Sequence, residues 1–248
     1  MIILSILFFV TALIYSSVGF GGGSTYLAIL LIWGVPYTIF PVIALVCNII
    51  VVSGNSINFL RSKNINFNLL FPYLIGSNPF AFIGGSITIE KSLFEILLFC
   101  VLLVAGIFLL IESKSFSEEK IKIKQIPKLI SISIGSIIGF MSGIVGIGGG
   151  IFLSPLIFLM RAGSPRHITS SASLFILINS IFGIAGQLTK DQILDQVIIY
   201  WPLFLSVLVG GQIGSVLNIK FLPNKILALL TSFLVIFVAI RIGIKLIA

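Results

Sequence analysis

The chain reads as long apolar stretches separated by short polar or glycine-containing turns. Ten apolar segments stand out, at roughly 2–17, 24–33, 38–59, 68–88 and 93–111, then 129–144, 151–160, 167–188, 197–217 and 224–246. The runs are continuous rather than alternating, as in Ile96–Ile111 and Ile226–Ile240. Membrane strands alternate apolar and polar residues over about ten positions, whereas spanning helices need about 20 mostly apolar residues. The pattern predicts an all-α integral membrane protein of about 8–10 hydrophobic segments. One polar stretch, residues 112–128, mixes both charge signs and ends with Pro127. It reads as a cytoplasmic linker between a first membrane half, 1–111, and a second, 129–248.

The two halves repeat an ordered set of features. Val18-Gly-Phe-Gly-Gly-Gly23 matches Val145-Gly-Ile-Gly-Gly-Gly150. Each is followed by a short apolar run and a Gly-x-Pro turn, Gly34-Val-Pro36 and Gly163-Ser-Pro165. Each half then places an asparagine in a long segment, Asn48 and Asn179, and later a glycine pair, Gly84-Gly85 and Gly210-Gly211. An ordered set of this length is the signature of an internal repeat.

Composition agrees with a lipid environment: 58% of residues are hydrophobic and 9% charged, against about 25% charged in soluble domains. The net charge of +8 does not point to nucleic acid, because the cations lie between apolar segments. Eleven of the 15 Lys and Arg fall on one side of the predicted topology and four, Lys91, Lys190, Arg241 and Lys245, on the other. The richer side is expected to be cytoplasmic, which puts both termini outside. Five segments per half make the halves inverted repeats, a recurring plan in secondary transporters. A rival count fuses each pair of segments around a glycine break into one crossing and gives parallel repeats. Residues 2–33 as one helix would run about 48 Å, long for a core of about 30 Å. Broken, re-entrant pairs are therefore preferred. The N-terminus, without a basic leader region, reads as a retained first helix.

Four glycines in six residues do not sustain a helix, each costing about 1 kcal/mol relative to alanine. A broken backbone in the membrane must find partners in protein or water, so the breaks belong inside the bundle. A helix restarting at Ser24 or Ile151 offers free N–H groups and a positive dipole end, which suits an anion. The candidate substrate-binding residues are Gly21, Gly22, Gly23, Ser24 and Asn48 in the first half, with Gly148, Gly149, Gly150, Ser170, Ser171, Asn179 and Gln212 in the second. Close helix packing is the alternative use of the glycines, and bonding to the helix backbone that of the serines. Arg161, Arg166 and His167 form a candidate cytoplasmic vestibule, or else simple interfacial charge. Cys47 and Cys100 read as two buried small hydrophobes. No carboxylate lies deep in a segment, which argues against a buried acid proton relay, and no phosphate-transfer signature appears. No cofactor or metal is expected, nor an enzyme, since no reactive cluster is present.

At Gly19-Phe-Gly-Gly-Gly23 with Gly34-x-Pro36, and at Gly146-Ile-Gly-Gly-Gly150 with Gly163-x-Pro165 and the Ser-rich helix behind it, the chain resembles the sulfite exporter TauE/SafE family. The resemblance covers essentially the whole chain. It implies a multi-pass permease of the bacterial inner membrane that moves small sulfur-containing anions such as sulfite, sulfonates or sulfoacetate, often outward. The partners expected are that anion and membrane lipid; a homo-oligomer is left open. The alternative functions are a cation-coupled importer of small carboxylates and a membrane assembly factor.

Overall fold

The structure is a computed structural model that describes residues 1–62, 65–115, 124, 126–160, 162–163, 165–190 and 193–217, together with 233, 236, 240, 243 and 244. The described residues form helices and turns with no strand. The helices are α1 (Ile2–Ser16), α2 (Gly23–Trp33), α3 (Phe40–Arg61), α4 (Phe67–Ser86), α5 (Lys91–Ser115), α6 (Lys128–Val145), α7 (Gly150–Leu159), α8 (Pro165–Gln187), α9 (Ile193–Ile198) and α10 (Trp201–Leu217), with a short 3-10 turn at Tyr37–Ile39.

Most bounds fall within a few residues of the expected ones. α5 runs to Ser115, one turn into the stretch expected to be linker. The expected segment 197–217 is α10 from Trp201 onward; its first two residues, Val197 and Ile198, close the short helix α9, and a turn at Ile199 and Tyr200 lies between. Most of the expected segment 224–246 and most of the linker lie outside the described residues.

Among the described residues, four stretches are long and apolar enough to cross a membrane: Tyr37–Arg61, Lys91–Phe108, Lys128–Val145 and His167–Gln187. α2 has 11 residues and α7 has 10. At 1.5 Å per residue they span about 15–17 Å, half of a core about 30 Å thick. The surface is apolar, with Ile2, Leu129, Ile137 and Val216 all at least two-thirds exposed. Amides and hydroxyls, including Asn48, Asn55, Ser142, Asn179 and Gln187, are buried instead. Apolar outside and polar inside is the arrangement lipid favours.

Glycine sets the closest helix contacts. On α6, Gly135, Gly139 and Gly143 meet the backbone carbonyls of Tyr73, Ser77 and Ala81 on α4. Both series advance by four residues in the same sense, so α4 and α6 run parallel. Gly76 and Gly84 of α4 return the contact against the Ile132 and Phe140 carbonyls. Any Cβ on these glycines would overlap a carbonyl oxygen, so the stripe works only with glycine. α1 and α10 pair in the same manner, Gly210 on the Phe9 carbonyl and Gly214 on that of Leu13, also parallel. α10 runs parallel to α3, with Gly211 against Val51 and Asn58 donating to Ser215 at 3.1 Å. α3 and α8 run antiparallel: Leu45 packs on Gly183 and Ser56 lies 3.4 Å from Ser173. One end of the bundle thus gathers the ends of α4, α6 and α8 with the start of α3. At the other end Gly19 sits between Phe59, late in α3, and Thr169, early in α8.

Candidate functional site

Each glycine break folds the chain back into the bundle. After α1, Gly19 and Gly22 take left-handed backbone, both at φ 89°. Glycine adopts this at no steric cost, and most other residues do not. α2 then returns alongside α1, with Phe8 stacked on Tyr26 at 4.7 Å and the Tyr15 and Thr25 hydroxyls 2.6 Å apart. In the second half Gly146, Gly148 and Gly149 have φ of 87°, 85° and 79°. Gly146 packs on Pro41 at the end of the bundle, while Gly150 lies against Ala172 and Ile176, midway along α8. α7 therefore begins deep inside.

The two breaks meet at Asn48. This residue sits near the middle of α3 and is fully buried. Its Nδ2 donates to the Ile147 carbonyl at 3.2 Å. Cβ atoms at Gly21, Gly23 or Gly148 would all collide with the Asn48 amide, and one at Gly23 would also strike the Ile147 carbonyl. The start of α2 is thus in contact with the second break through one side chain and one carbonyl. Asn48 covers the negative end of that carbonyl. The helical ladder of α2 begins with Thr25 and Tyr26 donating to Gly22, and that of α7 with Phe152 and Leu153 donating to Gly149. The N–H groups of Gly23, Ser24, Gly150 and Ile151 precede those ladders and carry the positive ends of two half-helices.

Asn179, the counterpart of Asn48, braces its own break. It donates to Ser142 Oγ at 2.8 Å and to the Gly148 carbonyl at 3.3 Å. Around these groups several buried oxygens have no partner among the described residues: Ser24 Oγ, Asn48 Oδ1, Asn179 Oδ1 and Ser180 Oγ, as does Ser171 Oγ in α8. An unpartnered buried polar atom costs about 1–3 kcal/mol, and native proteins carry few of them. Ser180, which lies against Gly148, was not among the residues singled out from sequence. A lone serine in an apolar run gives no signal there.

The other candidates lie elsewhere. Ser170 donates to the His167 carbonyl at 3.1 Å, within its own helix. Gln212 is exposed on α10, its amide against Gly54 of α3. His167 is half-buried in the first turn of α8; the Arg166 side chain and Arg161 lie outside the described residues. Cys47 is buried as expected, whereas Cys100 is exposed, beside an apolar groove between α5, α6 and α7. At the opposite end of α8 from His167 lies a cleft of about 450 Å³, lined by loop residues that carry no sequence pattern.

Comparison with known proteins fits this architecture. The family model described as "Sulfite exporter TauE/SafE" matches residues 4–242. "Probable membrane transporter protein y4hK" of Sinorhizobium fredii is 30% identical over 93% of this chain and 93% of its own. "Probable membrane transporter protein MJ0441" of Methanocaldococcus jannaschii is 27% identical, covering 94% and 91%. "Probable membrane transporter protein YunE" of Bacillus subtilis is 22% identical, covering 94% of both. No solved structure is significantly similar. With a family match over nearly the full length and a buried, twice-broken helix core, the chain belongs to the sulfite exporter TauE/SafE family of membrane transporters.

Proposed function

We propose that this transporter carries small sulfur-containing anions, of the sulfite, sulfonate or sulfoacetate kind, outward across the bacterial inner membrane by alternating access around the two glycine breaks. The observation that carries the reading is the meeting of both breaks at Asn48. Two positive half-helix ends at one buried place suit a negative charge, with the Ser24 and Ser180 hydroxyls as further donors. The family description supplies the sulfur chemistry.

The halves act as inverted repeats in this proposal. Support comes from helix direction: α3 and α8 hold corresponding places and run antiparallel, and the parallel pairs α1–α10 and α6–α4 exchange under the same correspondence. In such transporters one repeat rocks against the other around a midplane site. The excess of cations then orients the end where α4, α6 and α8 finish toward the outside.

Proteoliposomes loaded with sulfite test the reading. Wild-type protein should release it, and Gly22→Val and Gly149→Val, which force branched side chains into left-handed backbone, should abolish release while remaining monodisperse. Absence of sulfite and sulfonate flux in the wild type removes the substrate assignment; normal flux in both variants removes the site. A second reading, cation coupling, is favoured by the unpartnered Asn48 and Asn179 oxygens, which are acceptors without a donor. Flux that follows a Na⁺ or proton gradient would establish it.

A further inference from the structure

The cleft at the end of the bundle is built from three stretches of chain. Tyr37, Thr38 and Pro41 precede and begin α3, Ser86 to Ile89 and Phe94 join α4 to α5, and Gln187, Thr189, Lys190 and Gln196 follow α8. Ile144, from the last turn of α6, completes it. At about 450 Å³ it is in the range of small-molecule sites. Among the described lining residues are hydroxyls, amides, apolar side chains and one cation, and no carboxylate. Helix ends of both signs meet here, since α4, α6 and α8 finish while α3 and α5 begin. Their dipoles partly offset one another, and Lys190 brings the positive charge among the described lining residues.

Lys190 is held in place. Its Nζ donates to Gln187 Oε1 at 2.9 Å, and Gln187 Nε2 donates to the Gly143 carbonyl at 2.8 Å. Gly143 lies three residues before Gly146, the first glycine of the second break, which packs against Pro41 of the cleft wall. Cation, amide and helix end thus form a continuous path from the cleft to the break.

We propose that this cleft is an anion-capture site on the outward side, in which Lys190 and the neighbouring hydroxyls bind a small oxyanion at the outer mouth of the transport path, the exit for export and the entry for the reverse flux. The proposal rests on the anion-transport reading above and adds a second, peripheral binding place for the same chemical class. A free oxyanion and a lipid phosphate share that chemistry; the recessed, loop-lined position favours the free anion. A lysine that only caps the end of α8 would leave anion affinity unchanged when its charge is moved.

The test is charge replacement at one atom. In a Cys100→Ala background, Lys190→Cys is purified and reconstituted in phosphatidylcholine vesicles. Sulfite flux entering from the cleft side should show a KM raised about fivefold with maximal rate retained, the loss of one partly screened charge. Alkylation with 2-bromoethylamine, which restores a cation through a thioether that sulfite does not cleave, should return KM to the parent value; iodoacetate, which adds an anion, should not. Free ethanesulfonate, an oxyanion that does not react with the reagent, should also slow alkylation of the introduced thiol by bromoethylamine. An unchanged KM together with alkylation indifferent to ethanesulfonate overturns the proposal, and is the outcome if a lipid phosphate fills the cleft. Protection without any wild-type flux upholds the capture site while defeating the transport reading, so the two failures are distinct.

Discussion

Replacing Asn48 by alanine separates a structural role from a functional one. The wild-type side chain is fully buried and makes one hydrogen bond, Nδ2 to the Ile147 carbonyl at 3.2 Å. Its Oδ1 has no partner. Truncation strands the Ile147 carbonyl, a cost of about 1–3 kcal/mol. It also removes an unpartnered buried oxygen, whose burial costs about as much, about 1–3 kcal/mol. The two terms oppose, and the vacated amide leaves room for a water that Ile147 can use. Net destabilisation should be about 1 kcal/mol, which for a chain of this size lowers Tm by about 2–4 °C. Transport should suffer far more. The alanine variant uncovers a carbonyl dipole at the start of α2 and removes the contact joining the breaks, so anion flux should fall at least about tenfold, equivalent to about 1.4 kcal/mol. Thermal unfolding in detergent and sulfite release from proteoliposomes measure the two quantities on one preparation. A variant that transports normally, or one that loses flux only in proportion to a Tm drop beyond about 10 °C, refutes the reasoning.

Three further outcomes follow from the packing and charge. Gly139→Ala sets a methyl against the Ser77 carbonyl and should destabilise by about 1–3 kcal/mol, read as a lower Tm; Gly34→Ala, with open space around it, should cost only the left-handed backbone penalty of about 1–2 kcal/mol. Burial lowers the pKa of Lys190, so its charge is lost as pH rises through a range below the ordinary lysine value. Anion KM should therefore increase with pH in that window, and Lys190→Gln should abolish the dependence; Tyr37 is the other titratable group among the described residues that line the cleft. The same depressed pKa means the unfolded chain holds that proton longer, so this residue's contribution to stability grows with pH across the window. Thr88→Cys and Ser62→Cys, at opposite ends of the bundle, should label with an impermeant maleimide only from outside and only from inside, respectively; labelling of both from one side reverses the orientation argument.

The glycine breaks were legible because backbone freedom is written in residue type. Runs such as Gly21–Gly23 cannot be helix interior, and the 10 or 11 residues that follow are too short to cross. The pairing of Asn48 with Asn179 was legible as repetition, yet their geometry differs. Asn48 reaches the opposite half, whereas Asn179 stays with its own, and nothing local to either residue encodes that. Gln212 shows the converse, since a polar residue in an apolar run has two faces to choose from and sequence does not say which is inward. The cleft was invisible because three distant loops assemble it, and Lys190 read only as one cation among 15.

The glycine stripes also bear on how the protein is made. α1 finds its partner in α10, which begins 185 positions after α1 ends, and α6 finds its partner in α4, from the other half. When α1 enters the bilayer, the surface meant to cover it, with Gly210 and Gly214, is not yet synthesised. α1 must wait in lipid, or beside the insertion machinery, while nearly the whole chain follows. Closure of the bundle is then a late event, and co-expressed fragments cut within the linker should complement each other, while either fragment alone should be degraded.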